Sequence, residues 1–276
     1  MLASIALGLI VFLLAFPLAR YVIFLDSNRR AGQLAGLRRR MGGLALPLCR
    51  GWLTAVAADL LVLPLYGLGA LLGDGPERAG VPVVLVHGLY HNRTGWAVLA
   101  RRLRRAGAAN VHTYQYDSFL GTFDPAVEGL ARLLDRLLGG RADARVILVG
   151  HSLGGLVCRA VAGDPRYRDR VAGLVALGSP HGGSELAWFG PNRMARDLIP
   201  GRLISRRVAE AADPDCPRLA VFSPVDDYVC PLPLLRPGRP GWREEICPPM
   251  GHVWMLFSPR VAASVLAFVL PLARRA

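Results

Sequence analysis

Residues 145–161 read RVILVGHSLGGLVCRAV, and this stretch decides the fold. After Arg145 comes a short run of β-branched and other apolar side chains, as in a buried parallel strand, and the stretch ends in a helix-like sequence. Between the two lies a G-x-S-x-G pattern centred on Ser152. A serine on a sharp strand-to-helix turn has a strained backbone that needs glycine-sized neighbours, and the turn exposes its hydroxyl beside a helix N-terminus. The sequence therefore predicts a nucleophile elbow at Ser152.

Apolar runs alternate with stretches of helical spacing on both sides of the elbow. This alternation is typical of a parallel sheet with helices on both faces, and residues 81–276 are long enough for one such α/β domain. Between Glu185 and Arg207 neither pattern holds. The predicted strands are 83–86, 111–116, 145–149, 171–177, 219–222 and 244–247, and the predicted helices are 96–105, 125–138, 156–161 and 259–270.

Four further motifs surround the elbow in a fixed order. They are VVLVHGL at residues 83–89, GSPHGG at 178–183, SPVDDYV at 223–229 and GH at 251–252. With the elbow, these motifs resemble the α/β-hydrolase fold, and within it the bacterial lipases and esterases, over roughly residues 81–270. The resemblance implies a mostly parallel sheet flanked by helices, a small cap insertion at about residues 184–207, and cleavage of carboxylic esters through a covalent acyl-serine intermediate.

The elbow serine needs a base that is itself oriented by a third group. In the family that the chain resembles, the partners follow in the order serine, acid, histidine. Of six histidines, only His252 lies beyond the acid candidates, which makes it the predicted general base. Asp226 and Asp227 both follow the strand predicted at 219–222. The family pattern Ser-x-x-Asp-x-x-Val favours Asp226 and leaves Asp227 as the alternate acid, or as a turn or helix-cap residue.

The oxyanion of a tetrahedral intermediate needs two preorganised N–H donors. One is expected from the backbone of Leu153, directly after the nucleophile, and the resemblance at residues 87–89 assigns the other to Leu89. Both donors belong to the backbone, so the side chains at these positions are open to substitution.

The other histidines near these motifs are interpreted as structural. His87 and His181 brace loops that follow strands, and His151 flanks the nucleophile. His87 and His91 are four residues apart, but a glycine follows His87 and no predicted helix joins the two. No metal site is therefore predicted, and no cofactor is expected.

Two cysteines lie close to the predicted acid and base. Cys230 follows the acid loop and Cys247 ends the last predicted strand, so adjacent strand ends bring them near each other. They are candidates for a disulfide that would pin the loops of Asp226 and His252. Such a bond requires an oxidising compartment.

Residues 1–73 are predicted to anchor the chain in a membrane. Residues 1–19 carry no charged side chain and residues 51–73 carry only Asp59, so spans are predicted at about 1–25 and 51–73. The positive-inside rule places the arginine-rich loop between them in the cytoplasm, and residues 74–80 form a linker. The catalytic domain would then lie outside the inner membrane of a bacterium, in the periplasm. If the second segment lies on the membrane instead, the enzyme faces the cytoplasm.

The charge of the chain comes from arginine alone. Thirty-three basic residues, none of them lysine, against 20 acidic ones give a net charge of +13. The arginines are scattered and lack any pattern of interleaved aromatic residues, so nucleic acid is not an expected partner. Attraction to an anionic membrane surface and a merely solvated basic surface both remain open.

These observations predict a membrane-anchored serine ester hydrolase that cleaves lipid-like acyl esters. An acyltransferase or a thioesterase would use the same three residues. A non-catalytic membrane module for binding or assembly is the non-enzymatic alternative. The partners expected are the acyl-ester substrate and the membrane, and the sequence names no protein partner.

Overall fold

The computed structural model describes residues 2–70, 73, 77–141 and 143–274. In this part of the chain, parallel strands form a six-stranded sheet in the order β2-β1-β3-β4-β5-β6. The strands are β1 Val83–Val86, β2 Val111–Tyr114, β3 Val146–His151, β4 Val171–Leu177, β5 Arg218–Phe222 and β6 Trp242–Ile246. The helices are α1 Leu2–Arg30, α2 Leu34–Met41, α3 Ala45–Tyr66, α4 Ala97–Arg105, α5 Phe123–Leu138, α6 Leu153–Ala162, α7 Arg193–Arg196, α8 Leu203–Glu210 and α9 Pro259–Ala273.

Both faces of the sheet are covered by helices. Alternate side chains of a strand point to opposite faces, so Leu148 packs with α5 and α6 while Val149 packs with α4 and α9. Every residue of β1 and β3 is buried, which explains why β1 and the first four residues of β3 are continuous apolar runs. The predicted α/β architecture is confirmed.

Most predicted elements differ from the observed ones by a few residues at their ends. A difference of three residues occurs at the elbow, where α6 begins at Leu153 and not at residue 156. Glycine has a low helix propensity, which hid the first turn. Gly154 is required there by packing, because a Cβ at this position would lie 2.1 Å from the carbonyl oxygen of Val86.

The segment that the resemblance assigns to a cap follows β4. It forms a 3₁₀ turn at Glu185–Phe189, then α7 and α8, before the chain returns to the sheet at β5. Its role as a cap stays a prediction.

The N-terminal helices α1 and α3 pack against each other and against the α/β core. By length and composition, Val11–Arg30 and Ala45–Gly69 suffice to cross a membrane. The inner side of the pair is nevertheless built into the protein, where Tyr21 and Phe24 share an apolar cluster with Val225 of the core. The N-terminal helices therefore share a buried apolar cluster with the core. Of the predicted linker, residues 74–76 lie outside the described residues.

The arginine-rich segment was expected to be a loop, and much of it is helical. Helix α1 continues to Arg30, where Asp26 pairs with that residue one turn away, and α2 covers Leu34–Met41. The segment also contacts the core. Asn28 Oδ1 accepts a hydrogen bond from the Leu232 amide at 3.0 Å, and Arg30 donates to Glu185 at 2.6 Å.

These contacts bear on the predicted membrane topology, which stays a prediction. Two spans at 1–25 and 51–73 would place the segment between them and the α/β core on opposite faces of a bilayer. In the structure Asn28 and Arg30 touch the core directly, a contact that a bilayer between the segment and the core would not allow. Hydropathy predicted two spans because an apolar helix packed on protein has the same composition as one in lipid.

Phe24 tests whether the N-terminal helices belong to the folding unit of the core. Its side chain is 1% exposed. Phe24→Ala is expected to destabilise the whole chain by about 3–5 kcal/mol, because it empties a buried site between α1 and the core. Thermal unfolding of the purified chain in detergent measures this effect.

The matched control is Phe12→Ala, a change in the same helix at a side chain that is 54% exposed. We expect little change for that variant. If the unfolding temperature of the core does not change in Phe24→Ala, the helices and the core fold independently.

Candidate active site

The elbow at Ser152 has the backbone that its sequence predicts. Ser152 connects β3 to α6 with φ at +55° and ψ at −127°, which is a rare conformation for a residue with a side chain. Its amide donates to the Leu177 carbonyl on the neighbouring strand at 2.8 Å, which anchors the turn. The side chain is partly exposed. The hydrogen bond to the sheet thus holds the strained turn, which places the Ser152 hydroxyl at the N-terminus of α6.

The loop after β1 closes on this serine. A Cβ on Gly88 would lie 2.7 Å from the Ser152 Cβ and 3.1 Å from the His151 carbonyl oxygen, so only glycine permits this approach. The next residue is Leu89, whose amide donates to no group in the described part of the chain. Leu153 opens α6 on the other side of Ser152. The two backbone amides predicted for an oxyanion hole therefore flank the serine.

His252 and Asp226 form a buried pair. The Nδ1 of His252 donates to Asp226 Oδ2 at 2.7 Å, and the two side chains are 3% and 0% exposed. The other carboxylate oxygen accepts the amides of Tyr228 and Val229 at 3.0 and 2.9 Å. With its proton fixed on Nδ1, the ring carries the lone pair of a base on Nε2.

The elbow brings His252 close to the serine. The ring of His151, next to Ser152, lies 4.5 Å from the His252 ring between centroids, and its Nε2 lies 3.2 Å from the His252 carbonyl oxygen. In the described residues the Ser152 hydroxyl makes no hydrogen bond to His252. Such contacts are commonly long in unliganded sites and tighten when substrate binds.

Asp227, the alternate acid, has a different set of partners. Its Oδ1 accepts the His252 backbone amide at 2.8 Å and its Oδ2 accepts from Arg20 Nε at 2.7 Å. The carboxylate therefore contacts the base loop through the backbone, whereas Asp226 contacts the imidazole. The geometry favours Asp226 as the acid.

Sequence reasoning missed the contributions of the N-terminal helices. Arg20 on α1 binds Asp227, and Thr54 Oγ1 on α3 accepts the amide of Gly251 at 2.8 Å. One signal was present, because Arg20 is the lone charge in the apolar run before Asp26. An ionisable residue inside such a run commonly has a buried partner.

Burial keeps the other nearby histidines neutral. It lowers the pKa of His87 to about 4, and those of His91 and His181 to about 3, while that of His151 falls well below its usual range. His87 Nε2 accepts the Tyr116 amide at 3.3 Å, which braces the loop before Leu89. The rings of His87, His91 and His151 are thus fixed and uncharged beside the site, whereas His181 contacts Arg159.

The candidate disulfide between Cys230 and Cys247 is not formed in the structure. Both residues are buried as free thiols. Cys230 packs with Tyr21 and Phe24, whereas Cys247 belongs to the cluster that holds α9. Burial raises the pKa of Cys230 to about 11 and that of Cys247 to about 12, so both stay protonated. Across the described ranges, no group of three histidine, cysteine or acidic side chains is placed to hold a metal ion.

Comparison with known proteins finds a family and relatives that agree with the α/β architecture. The model of the alpha/beta hydrolase family matches residues 83–259. A triacylglycerol lipase of Burkholderia plantarii is 33% identical over 153 residues, which cover 49% of this chain and 42% of the lipase. A probable esterase of Oryza sativa subsp. indica is 30% identical over 186 residues, covering 59% of this chain and 68% of the esterase. The chain thus matches less than half the length of the bacterial lipase.

A solved structure shows the same fold. The mature form of a Bacillus licheniformis lipase superposes with a TM-score of 0.57 at 17% identity, covering 73% of this chain and 96% of that one. At this identity the likeness concerns the fold alone. The part of the chain left uncovered is about the size of the N-terminal helices and their linker.

Replacing each aspartate in turn tests the assignment of the acid. Asp226→Asn is expected to slow the reaction of Ser152 with a fluorophosphonate by about 10⁴-fold, because an amide at this position favours the wrong tautomer of His252. Asp227→Asn is expected to cost far less, since its amide oxygen still accepts the His252 N–H. The rate of labelling, measured by mass spectrometry of the intact chain, separates the two variants. A larger loss for Asp227→Asn would reverse the assignment.

Proposed function

The chain belongs to the alpha/beta hydrolase family, and on that premise we propose that it is a serine hydrolase of carboxylic esters with lipid-like acyl groups. One observation carries the proposal: the buried Asp226–His252 pair stands beside a serine held in a strained strand-to-helix turn. The three residues follow one another in the chain in the order that this family uses. The lipase and esterase names of the relatives support the same class of reaction.

The residues account for both halves of the reaction. Ser152 Oγ attacks the ester carbonyl carbon while His252 Nε2 accepts the hydroxyl proton, and the Leu89 and Leu153 amides stabilise the oxyanion. The intermediate collapses to an acyl-serine, and the alcohol leaves with the proton from His252. Water then attacks the acyl carbon and gives a proton to His252. Collapse releases the carboxylic acid as His252 returns that proton to Ser152 Oγ, which restores the serine and the neutral base. Asp226 stabilises the imidazolium in each half.

Exposed apolar side chains near the oxyanion loop support a lipid-like substrate. Tyr90 follows Leu89, and its ring lies 5.3 Å from that of Phe119. The next side chain, Leu120, is 90% exposed, and Phe189 in the segment after β4 is 72% exposed. Apolar groups grouped at the surface are typical of sites that meet other apolar molecules. We call Phe119, Leu120, Trp188 and Phe189 the apolar rim.

The outer sides of α1 and α3 support attachment to a membrane. In our arrangement the uncharged residues 2–19 enter the bilayer, and α3 lies along the membrane surface on the outside of the core. The arginine-rich segment stays beside the core, at the level of the lipid head groups. The exposed apolar side chains of the two helices include Val11, Phe12, Leu18, Val22, Leu46, Leu53, Leu60 and Leu61.

This arrangement favours the cytoplasmic face of the membrane. Asn28 and Arg30 contact the core, so the arginines and the catalytic residues share one side. The positive-inside rule assigns that side to the cytoplasm. The free thiols of Cys230 and Cys247 are consistent with a reducing compartment.

Ester hydrolysis tests the proposed reaction. The full chain in detergent is expected to hydrolyse p-nitrophenyl esters, with a rate that rises from short to long acyl chains because the apolar rim binds the chain. Ser152→Ala is expected to lower kcat by about 10⁶-fold, since the nucleophile is lost. Ser264→Ala, a serine on α9, is the matched control and should keep full activity. Equal rates for Ser152→Ala and the unchanged chain would refute the assignment, and a short-chain optimum would refute the lipid-like substrate.

Reporter fusions test the side of the membrane. A green fluorescent protein fused after the C-terminus and expressed in a bacterium is expected to fluoresce, because it folds in the cytoplasm. Alkaline phosphatase at the same position is expected to be inactive, because it requires export. The reverse pair of results would support the periplasmic topology predicted from hydropathy.

A further inference from the structure

The helices α1 and α3 hold the two loops that carry the catalytic acid and base. We propose that this helical pair is part of the catalytic apparatus, and that Arg20 is the positioning residue through which it sets the His252 loop. The inference rests on the proposed function, because it concerns the same serine, histidine and acid. It goes beyond that function in giving the membrane segment a role in the chemistry as well as in attachment.

Arg20 is fully engaged inside the protein. It is 2% exposed although it lies in an apolar helix. Its Nε donates to Asp227 Oδ2 at 2.7 Å, its Nη1 to the Tyr228 hydroxyl at 2.9 Å and its Nη2 to Asp59 Oδ2 at 3.3 Å. The guanidinium also lies 4.4 Å from the centroid of the Tyr228 ring. An arginine that reached toward lipid head groups would leave its charged end exposed, so these contacts identify a structural cation directed at the acid loop.

Asp227 links Arg20 to the loop that carries the base. One of its oxygens is held by Arg20 and the other accepts the His252 backbone amide at 2.8 Å. Two short contacts thus connect α1 to the residue whose ring must meet Ser152. Asp227 is buried beside a second buried carboxylate, Asp226, and Arg20 supplies the positive charge that makes this arrangement tolerable.

Further contacts join the helices to the same two loops. The Tyr21 hydroxyl donates to the Val225 carbonyl at 2.9 Å, on the acid loop. Thr54 on α3 accepts the Gly251 amide at 2.8 Å, and a Cβ on Gly251 would lie 2.9 Å from Ala55. The contacts converge on the residues before Asp226 and before His252, which is where a change of position has the greatest effect on catalysis.

The charges around His252 make the coupling measurable. Asp226 and Tyr228 face its ring from the acid loop and His151 faces it from the elbow, with His91 beyond. Asp227 lies at its backbone, and Arg20 and Asp59 lie behind Asp227. Arg20 is the cation in this group. Without it the carboxylates favour the imidazolium form of His252, and the acidic limb of the pH profile moves to higher pH.

The experiment compares four variants of the full chain in detergent: Arg20→Met, Arg20→Lys, Asp227→Asn, and the double variant that combines Arg20→Met with Asp227→Asn. Arg20→Met is expected to lower kcat by about 10²-fold with KM little changed, because the base loop loses its support. Its acidic limb in kcat/KM is expected to shift up by about one pH unit. Arg20→Lys keeps the charge and should recover the pH profile and part of kcat.

The double variant separates charge from packing. Removing both members of the pair is expected to return the acidic limb toward that of the unchanged chain, and the losses in kcat should not add. Arg39→Met is the matched control, since Arg39 is exposed on α2 and makes no ion pair in the described part of the chain. It should leave kcat, KM and the pH profile unchanged.

A direct titration keeps the inference apart from the proposed function. NMR of the histidine ring carbons, with the His252 signal assigned by its loss in His252→Gln, follows the protonation of the base without any substrate. An upward shift of its titration midpoint in Arg20→Met supports the coupling even if the chain proves inert toward esters, a result that would refute the proposed function alone.

Two results would overturn the inference. The first is a folded Arg20→Met variant with the kcat, pH profile and His252 titration of the unchanged chain. The second is a variant that loses thermal stability but keeps full kcat per folded molecule, which is what a merely structural arginine predicts. If Arg20→Met does not fold, Asp227→Asn decides the question: a lower kcat and an acidic limb moved to lower pH support the inference, and the values of the unchanged chain overturn it.

Discussion

Two consecutive carboxylates are buried side by side at the carboxyl edge of the sheet, and the rest of the site is arranged around them. Asp226 is satisfied by two backbone amides and by the His252 ring. Asp227 is satisfied by the His252 amide and by Arg20. A buried charge without partners would be too costly to keep, so each carboxylate requires a particular neighbour. The need for a cation beside Asp227 is what draws an N-terminal helix onto the loops of an otherwise self-contained α/β core.

The core and much of the site could be predicted because their signals are local. Residues 146–149 of the strand Val146–His151 form an uninterrupted apolar run, and a serine between glycines after the strand has few other conformations open to it. The resemblance then placed His252 and Asp226 by their order along the chain. The features that could not be predicted depend on the direction in which a side chain points. Cys230 and Cys247 follow neighbouring strands, yet their side chains pack into different clusters, and sequence order does not reveal that difference.

The N-terminal helices illustrate a second limit of sequence reasoning. Mean hydropathy records how apolar a helix is and says nothing of what covers it. Helix α3 has one apolar side that is covered and one that is exposed: Ala55 and Ala58 are buried against protein, whereas Leu53 and Leu60 are exposed. Only three-dimensional contacts distinguish the two sides. The arrangement we propose uses both, since the inner side supports the catalytic loops and the outer side meets the membrane.

The Arg20–Asp227 contact joins residues 207 positions apart in the chain. Ribosomes complete the N-terminal helices long before the acid loop emerges, and contacts of such long sequence separation form late in folding. During synthesis Arg20 is therefore made well before its partner, and the strands of the sheet lie between the two in the chain. The serine, the acid and the base can come into register only once nearly the whole chain has been made. A chain that ends before Asp227 would therefore lack this contact between the N-terminal helices and the acid loop.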